Sequence, residues 1–189
     1  EKASFKLAEL YTKQGLVIEA KQIYLDLAEE YKRQQNQKKA LDMYKKILEF
    51  DRSNTKMRLL LADNYLKENL IEDAVNEYVI ASDILLNKRE FDKAENLLKN
   101  TIAKVKEPKL IQKLVQCYNS QEKDDNAIDL LKNSGPVLLE NIELMKTLGE
   151  LYLKKNQTDD AEQMFSKVAE IDPNEAEIIL KLGKVYIRR

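Results

Sequence analysis

Histidine is absent from this chain, and its absence excludes several classes of enzyme at once. The 189 residues contain no histidine and a single cysteine, Cys117. Without histidine, neither a Ser-His-Asp nor a Cys-His catalytic arrangement can form, and histidine-ligated zinc is excluded. One cysteine also excludes an intrachain disulfide. The four glycines are dispersed and form no phosphate-binding loop. The sequence therefore predicts no catalytic residue, no metal site and no cofactor.

The charge balance argues against a nucleic-acid partner, and the hydropathy pattern argues against a membrane span. Lysine and arginine number 32 against 33 aspartate and glutamate, so the net charge is −1. Nucleic-acid-binding proteins usually carry a basic surplus, and we therefore expect no nucleic-acid partner. No run of about 18 apolar residues is present, so we expect no membrane span. The chain shows no signal peptide and begins at Glu1, which suggests a piece of a longer protein and favours the cytoplasm.

Glycine and proline are scarce, and this scarcity favours a nearly all-helical chain with short connections. Only 4 Gly and 3 Pro occur. One pattern recurs along the chain: a leucine lies four residues before an aromatic residue, and a small residue lies three residues before it. The pattern occurs at Leu7–Tyr11, Leu27–Tyr31, Leu61–Tyr65, Leu148–Tyr152 and Leu182–Tyr186, and more loosely at Leu114–Tyr118 and Ala81–Leu85. Alanine follows nine residues later at positions 20, 40, 74, 94, 127 and 161. Such spacing predicts pairs of helices that approach closely through small side chains.

This pattern resembles the tetratricopeptide repeat, a helix-turn-helix unit of about 34 residues. Tyr118, Tyr152 and Tyr186 are each 34 residues apart, and the resemblance extends over essentially the whole chain. The resemblance implies an all-α fold, a right-handed superhelical solenoid of about eleven antiparallel helices. It also implies a non-catalytic scaffold for protein–protein interaction.

The repeat lengths predict a single array over residues 1–189 with an irregular N-terminal part. Because Tyr11 and Tyr31 are only 20 residues apart, residues 1–54 and 55–108 are interpreted as two three-helix units. In each unit the middle helix, near 17–34 or 71–88, would be shared by two repeats. The remaining segments are an irregular repeat at 109–141, a regular repeat at 142–175 and the first helix of a truncated repeat at 176–189. Ser134-Gly135-Pro136 should shorten a helix within the irregular repeat.

Several conspicuous residues are given structural roles. We expect all nine tyrosines to pack between helices, and Cys117 to be buried and unreactive. Gly149 and Gly183 are interpreted as close-packing positions. The pairs Asp124-Asp125 and Asp159-Asp160 each begin a helix, where we expect them to complement the helix dipole and cap free amides.

The partner-binding surface is predicted from the family resemblance. In the family, peptides lie in the concave groove lined by the first helix of each repeat. The corresponding positions here are Leu25, Glu29, Lys32, Leu59, Asp63, Leu66, Lys67, Gln112, Gln116, Asn119, Lys146, Glu150, Leu153 and Lys154. A two-carboxylate clamp, as found in some members, would require cations and amides at Gln112, Gln116, Thr147, Glu177 and Lys181. Only Lys181 has the required charge, so we exclude the clamp. The expected ligand is a peptide or helix of a partner protein.

Two alternative functions remain open at this stage. The apolar last helix could mediate self-association, giving a homo-oligomer through Ile178, Ile179, Leu182, Val185 and Tyr186. RNA binding, known for other helical repeats, is a weaker alternative because the charge is balanced and few aromatics lie outside the repeat pattern.

Overall fold

The structure is a computed structural model that describes residues 1–174 and 176–187. Over this range the chain is all-α, as predicted, and it divides into two compact units, residues 1–89 and the residues from Glu90 onward. Unit 1 contains α1 (Lys2–Lys13), α2 (Val17–Arg33), α3 (Gln37–Phe50), α4 (Thr55–Lys67) and α5 (Ile71–Asn87). Unit 2 contains α6 (Phe91–Lys104), α7 (Pro108–Asn119), α8 (Asp124–Asn133), α9 (Pro136–Leu139), α10 (Ile142–Lys154), α11 (Thr158–Ile171) and α12 (Ala176–Ile187).

The described helices number twelve instead of about eleven, and the additional helix is the four-residue α9. None of the helices in the described range combines the length and the apolar character required to cross a membrane. The last predicted segment, 176–189, is described only through residue 187, so its final two residues lie outside the described part.

Unit 1 is organised around α2, which is 17 residues long and packs against both α1 and α3. The ring of Tyr24 on α2 contacts both neighbours. It meets Phe5 of α1 edge-on with 6.0 Å between ring centroids, and it lies 6.2 Å from Phe50 of α3. A middle helix shared by two repeats would have such contacts on both sides. The repeat boundaries themselves stay a prediction.

Small residues line the helix interfaces in both units. Ala8, Ala20, Ala28, Ala62, Ala74, Ala94, Ala127 and Ala161 are completely buried. Seven of the nine tyrosines are buried with them, at positions 24, 31, 44, 65, 78, 118 and 152. The prediction of core packing is wrong for Tyr186, whose side chain is 58% exposed. Tyr11 is only half-buried.

The two repeat glycines differ in their surroundings. A Cβ atom added to Gly149 on α10 would lie 2.6 Å from Cε1 of Phe165 on α11, so only glycine permits this approach. The prediction of close packing is therefore confirmed at Gly149. It is wrong at Gly183, where no described heavy atom lies within 4 Å of the corresponding Cβ position.

The turns between paired helices share one backbone conformation. In each turn a single residue adopts positive φ: Gly15 (+76°), Gln35 (59°), Asn69 (58°), Arg89 (58°), Glu122 (57°) and Asn156 (59°). In five of these turns the next N–H donates to the carbonyl of the preceding repeat tyrosine. The bonds run from residues 16, 36, 70, 123 and 157 to Tyr11, Tyr31, Tyr65, Tyr118 and Tyr152 at 2.8–3.0 Å. A bond from the sixth residue's N–H back to the first residue's C=O is characteristic of the Schellman motif. We refer to the five turns that contain it as closing turns.

The predicted break in unit 2 is confirmed. Helix α8 ends at Asn133, and Gly135 has a φ of +59° immediately before Pro136 begins α9. Leu138 is buried, whereas Leu139 is half exposed, so only part of the apolar Val137–Leu139 segment packs. Asn141 then caps α10 by accepting a 3.0 Å hydrogen bond from the N–H of Leu144.

The paired aspartates begin helices as expected, but neither pair occupies the N-cap position. The N-cap residues are Lys123 for α8 and Gln157 for α11, and neither forms a side-chain cap bond. Asp124 and Asp125 lie in the first turn of α8, where the helix dipole favours a negative charge. Their carboxylates bind Lys154 and Lys155 of α10 instead, each at 2.7 Å. The capping prediction is therefore wrong for Asp124-Asp125, because Lys123 holds the N-cap position and the two aspartates follow it.

Candidate functional site

The predicted groove positions of unit 1 lie on α2 and α4. Their side chains form a partly exposed surface of mixed character. Leu25, Lys32, Leu59, Asp63 and Leu66 are half-buried, while Glu29 and Lys67 are exposed. Three cavities of unit 1 are lined by other residues, so none of these three brings the predicted positions together.

Asp63 has a structural role in addition to its predicted position on the groove. The hydroxyl of Tyr78 on α5 donates a hydrogen bond to its Oδ1 atom. Burial and the neighbouring carboxylate both raise the pKa of Tyr78, so this donor stays protonated. A second link lies nearby, where Arg58 of α4 binds Glu77 of α5 at 2.6 Å with both side chains largely buried. Asp63 is thus part of the α4–α5 interface.

In unit 2, four of the seven predicted groove positions line one cavity. Gln112, Gln116 and Asn119 follow one face of α7 at steps of four and three, and Glu150 faces them from α10. Together with Val115, Ser120 and Thr147 they line a cavity of about 530 Å³, which we call the unit-2 groove. The lining consists mainly of amide and hydroxyl side chains, which both donate and accept hydrogen bonds. Such a surface can bond to the main chain of an extended peptide.

Sequence reasoning missed Val115 and Ser120 as groove residues, and it considered Thr147 only as a clamp position. Ser120 lies four residues after Gln116, one helical turn further along the same face, so helical spacing alone could have identified it. Lys146, Leu153 and Lys154 are not among the residues that line the cavity. Lys146 binds Glu143 at 3.0 Å and Lys154 binds Asp124 at 2.7 Å, so both ammonium groups are occupied by ion pairs.

An ion cluster of Glu150, Glu177 and Lys181 lies at the edge of the unit-2 groove. Lys181 of α12 binds Glu150 and also Glu177, the latter at 2.8 Å, with its Nζ atom 5.9 Å from the centroid of the Phe165 ring. Burial lowers the pKa of Lys181, but its bonds to the two carboxylates outweigh this effect and raise the pKa overall. The bond to Lys181 lowers the pKa of Glu177. The cluster sets the carboxylates of Glu150 and Glu177 against the ammonium group of Lys181, and the nearby charge of Lys146 also lowers the pKa of Glu177.

The same ion pairs argue against a two-carboxylate clamp that would bind the C-terminus of a ligand. Glu177 and Lys181 occupy two of the five clamp positions and neutralise each other. The only cation at those positions is thus unavailable to a ligand carboxylate.

Helix α12 divides its apolar residues between two faces. Ile178 and Val185 are 1% and 0% exposed, and α12 packs on α11. Their assignment to a self-association surface is therefore corrected, because the chain itself already buries them. Ile179 and Tyr186 are 57% and 58% exposed, and Leu182 is half-buried. Leu180, which the sequence analysis did not include, is 67% exposed.

Cys117 is buried, as expected, and its environment is that of a structural thiol. Burial raises the pKa of the thiol group, which disfavours the reactive thiolate. Within the described part of the chain, no group of three or more cysteine, aspartate or glutamate side chains could hold a metal ion.

Comparisons with solved structures show the type of fold. YrrB, described as a TPR protein with an unusual peptide-binding site, is 16% identical, with a TM-score of 0.50, and the match covers 86% of this chain and 91% of that chain. The Yersinia enterocolitica type III secretion chaperone SycD, solved with a peptide of the translocator YopD, is 13% identical with a TM-score of 0.52, covering 61% and 95%. The predicted tetratricopeptide-type helical solenoid is thereby confirmed.

Comparisons of sequence assign the family. No curated protein sequence matches the chain significantly. A family model described as tetratricopeptide repeat matches residues 143–175. A second model, described as soluble NSF attachment protein, matches residues 3–133, well over half of the chain. The chain therefore belongs to the soluble NSF attachment protein family and carries a tetratricopeptide repeat after the matched region.

Proposed function

We propose that this chain is a non-catalytic interaction scaffold that holds an extended segment of a partner protein in the unit-2 groove. The observation that carries the proposal is the convergence of Gln112, Gln116, Asn119 and Glu150 on one cavity of about 530 Å³. These four positions are among those that the family resemblance predicts for the groove. The comparisons support a protein ligand, since YrrB and SycD are both described with peptide sites or peptides. The family name likewise describes proteins that attach NSF.

The lining suggests how a peptide would be held. The side-chain amides of Gln112, Gln116 and Asn119 would bond to its main-chain N–H and C=O groups, which every sequence provides. Selectivity would come from the Glu150–Lys181–Glu177 cluster, which places two carboxylates at the groove edge. A lysine or arginine of the partner would be favoured there, because it would compete with Lys181 for these carboxylates.

Photocrosslinking in the source cells tests this proposal directly. A benzoylphenylalanine residue replaces Gln116 in one variant and the exposed Lys167 of α11 in a control variant. We expect a protein adduct from position 116 and none from position 167, with the crosslinked peptide identified by mass spectrometry. Equal adducts from both positions, or none from position 116, would count against the groove.

A second set of variants tests the chemistry of the groove once a peptide is identified. Replacing Gln116 and Asn119 together by alanine should weaken binding of that peptide by at least about tenfold, since two main-chain bonds are lost. The control variant Lys167→Ala should leave the dissociation constant unchanged. Fluorescence anisotropy with the labelled peptide measures both.

Self-association is the second candidate, and the exposure of α12 favours it. Ile179, Leu180 and Tyr186 are each more than half exposed, and they lie on one helix. If this surface pairs with a second copy, the molar mass from light scattering should rise toward two chains over a hundredfold concentration range. Ile179→Glu should restore the mass of one chain, whereas Leu139→Glu, at a side chain of α9 that is 50% exposed, should not. A constant mass at all concentrations would exclude this candidate.

A further inference from the structure

Two adjoining cavities of unit 1 lie on a surface separate from every predicted groove position. One has a volume of about 460 Å³ and is lined mainly by α3, and the other has about 620 Å³ and is lined mainly by α1. Both are lined by Phe5 of α1 and Tyr31 of α2, so they form one continuous depression. We call this depression the α1–α3 channel.

The floor of the channel is apolar and held in place by the core. Phe5 packs edge-on against the buried Tyr24, which fixes the orientation of its ring. Tyr31 and Met43 are almost completely buried and present only part of their side chains to the channel. Because these residues are anchored, the depression is formed before any ligand binds.

The rim of the channel is rich in lysine. Lys2 and Lys6 of α1, with Lys39, Lys45 and Lys46 of α3, line it alongside three carboxylates, Glu9, Asp42 and Glu49. Glu49 is already bound to Lys46 at 3.1 Å. Glu1 and Glu30 lie near Tyr31 but do not line the channel, and both accept hydrogen bonds from Gln34. Among the side chains that line the channel, five lysines therefore stand against three carboxylates.

Three of the five rim lysines are available to a ligand, whereas Lys46 is paired with Glu49 and Lys45 is bonded to Tyr65. Within the described residues, Lys2, Lys6 and Lys39 form no ion pair, and the Nζ atom of Lys39 lies 5.1 Å above the ring of Tyr31. Lys39 and Lys46 are seven residues apart, two turns of α3, which corresponds to about 10 Å along the helix. A ligand of about three helical turns would span the channel and reach the lysines on both walls.

We propose that the α1–α3 channel binds an acidic amphipathic helix of a partner protein. Apolar side chains of that helix would pack on Phe5 and Tyr31, while its carboxylates would bind Lys6 and Lys39. This is the helix-in-groove mode of recognition, in which burial of the apolar face gives affinity and the charged rim gives selectivity. The site is independent of the unit-2 groove, so either can fail in experiment without affecting the other.

A displayed library of random 16-residue peptides provides the first test. The library is selected on the full 189-residue chain, after removal of peptides that bind the variant Lys6→Glu/Lys39→Glu. We expect the enriched peptides to have net negative charge and apolar residues at a spacing of three and four. Enrichment of neutral or basic peptides, or no enrichment, would overturn the proposal.

Binding of the most enriched peptide, measured by fluorescence anisotropy, provides the second test. Lys6→Glu/Lys39→Glu should raise its dissociation constant at least tenfold. The matched control Lys132→Glu/Lys167→Glu makes the same change in net charge on exposed positions of unit 2 and should have no effect. An equal loss in both variants would mean non-specific attraction and would overturn the proposal. Circular dichroism confirms that both variants stay helical.

Anionic vesicles of phosphatidylserine and phosphatidylcholine separate a membrane surface from a protein helix. We expect no co-sedimentation of the chain with these vesicles. Sedimentation that is lost in Lys6→Glu/Lys39→Glu would assign the lysines to lipid headgroups and would overturn a peptide ligand.

Discussion

The hydroxyl group of Tyr78 donates a hydrogen bond to the carboxylate of Asp63, and this bond joins α5 to α4 inside unit 1. A hydrogen bond to a charged acceptor in a buried interface contributes more than a neutral bond at the surface. We expect Tyr78→Phe to lower the free energy of unfolding by about 1–2 kcal/mol, because the bond is lost while the ring is kept. Urea denaturation followed by circular dichroism measures the change.

Tyr24→Phe is the matched control for this bond. Tyr24 is equally buried in unit 1, but its hydroxyl has no hydrogen-bond partner among the described residues. We expect its removal to change the free energy of unfolding by less than about 0.5 kcal/mol. Equal effects of the two substitutions would show that the bond to Asp63 adds nothing.

Glycine-to-alanine substitutions on α10 and α12 should change the free energy of unfolding in opposite directions. At Gly149 the new methyl group would overlap the buried ring of Phe165, which is 2.6 Å away, and we expect a net loss of about 1–2 kcal/mol. At Gly183 the space is open, so alanine should stabilise the helix by about 0.5–1 kcal/mol. Thermal unfolding of both variants checks this contrast. A stabilising Gly149→Ala would contradict the close contact with Phe165.

The closing turns offer a second stability test. Gln35 adopts a φ of 59°, a conformation that glycine adopts without the steric penalty of a Cβ atom. Gln35→Gly should therefore stabilise unit 1 by roughly 0.5–1 kcal/mol. Conversely, Gly15→Ala should destabilise it by about 1 kcal/mol, because the φ at that position is +76°. If both substitutions act in the same direction in urea denaturation, backbone strain does not determine the outcome.

Glu95 of α6 should make the stability of unit 2 sensitive to acid. Its carboxylate binds Lys99 at 2.7 Å and Lys123 at 3.2 Å, and these bonds lower its pKa despite partial burial. A lowered pKa means that the stabilisation is present above the unfolded value of about 4.3 and is lost as pH falls through the folded value. Glu95→Gln should cost about 1 kcal/mol at pH 7 and nothing near pH 2.

Denaturation curves from pH 7 to pH 2 for the parent chain and Glu95→Gln measure this dependence. Glu170→Gln, at an exposed position of α11 with no described ion pair, is the control and should follow the parent chain. A difference between Glu95→Gln and the parent that does not change with pH would contradict a role for the charge.

Much of the fold was predictable because small residues recur at fixed positions. The buried alanines and Gly149 identify where helices approach, and Gly15, Asn69 and Asn156 identify turns, since glycine and asparagine readily adopt positive φ. Arg89 and Glu122 adopt the same conformation without any such signal. Their backbone is set by the helices on either side, so single-residue preferences could not reveal them.

The candidate site was only partly predictable, for a different reason. The register of α7 places Gln112, Gln116 and Asn119 on one face, and the family resemblance assigned that face to the groove. Asp63 was interpreted only as a groove residue, because its bond to Tyr78 depends on how α4 and α5 pack. Similarly, the apolar sequence of α12 does not show which residues face α11, so the burial of Ile178 was not foreseen.

The closing turns also bear on how chains of this kind can change length. The residue that completes each turn is Leu16, Asn36, Leu70, Lys123 or Gln157, and these side chains have no common chemistry. The bond that they complete runs between main-chain groups only. A gene duplication or recombination that joins two repeats at such a turn therefore requires no matching side chain, and repeats can be gained, lost or exchanged there while the joint between helices is preserved.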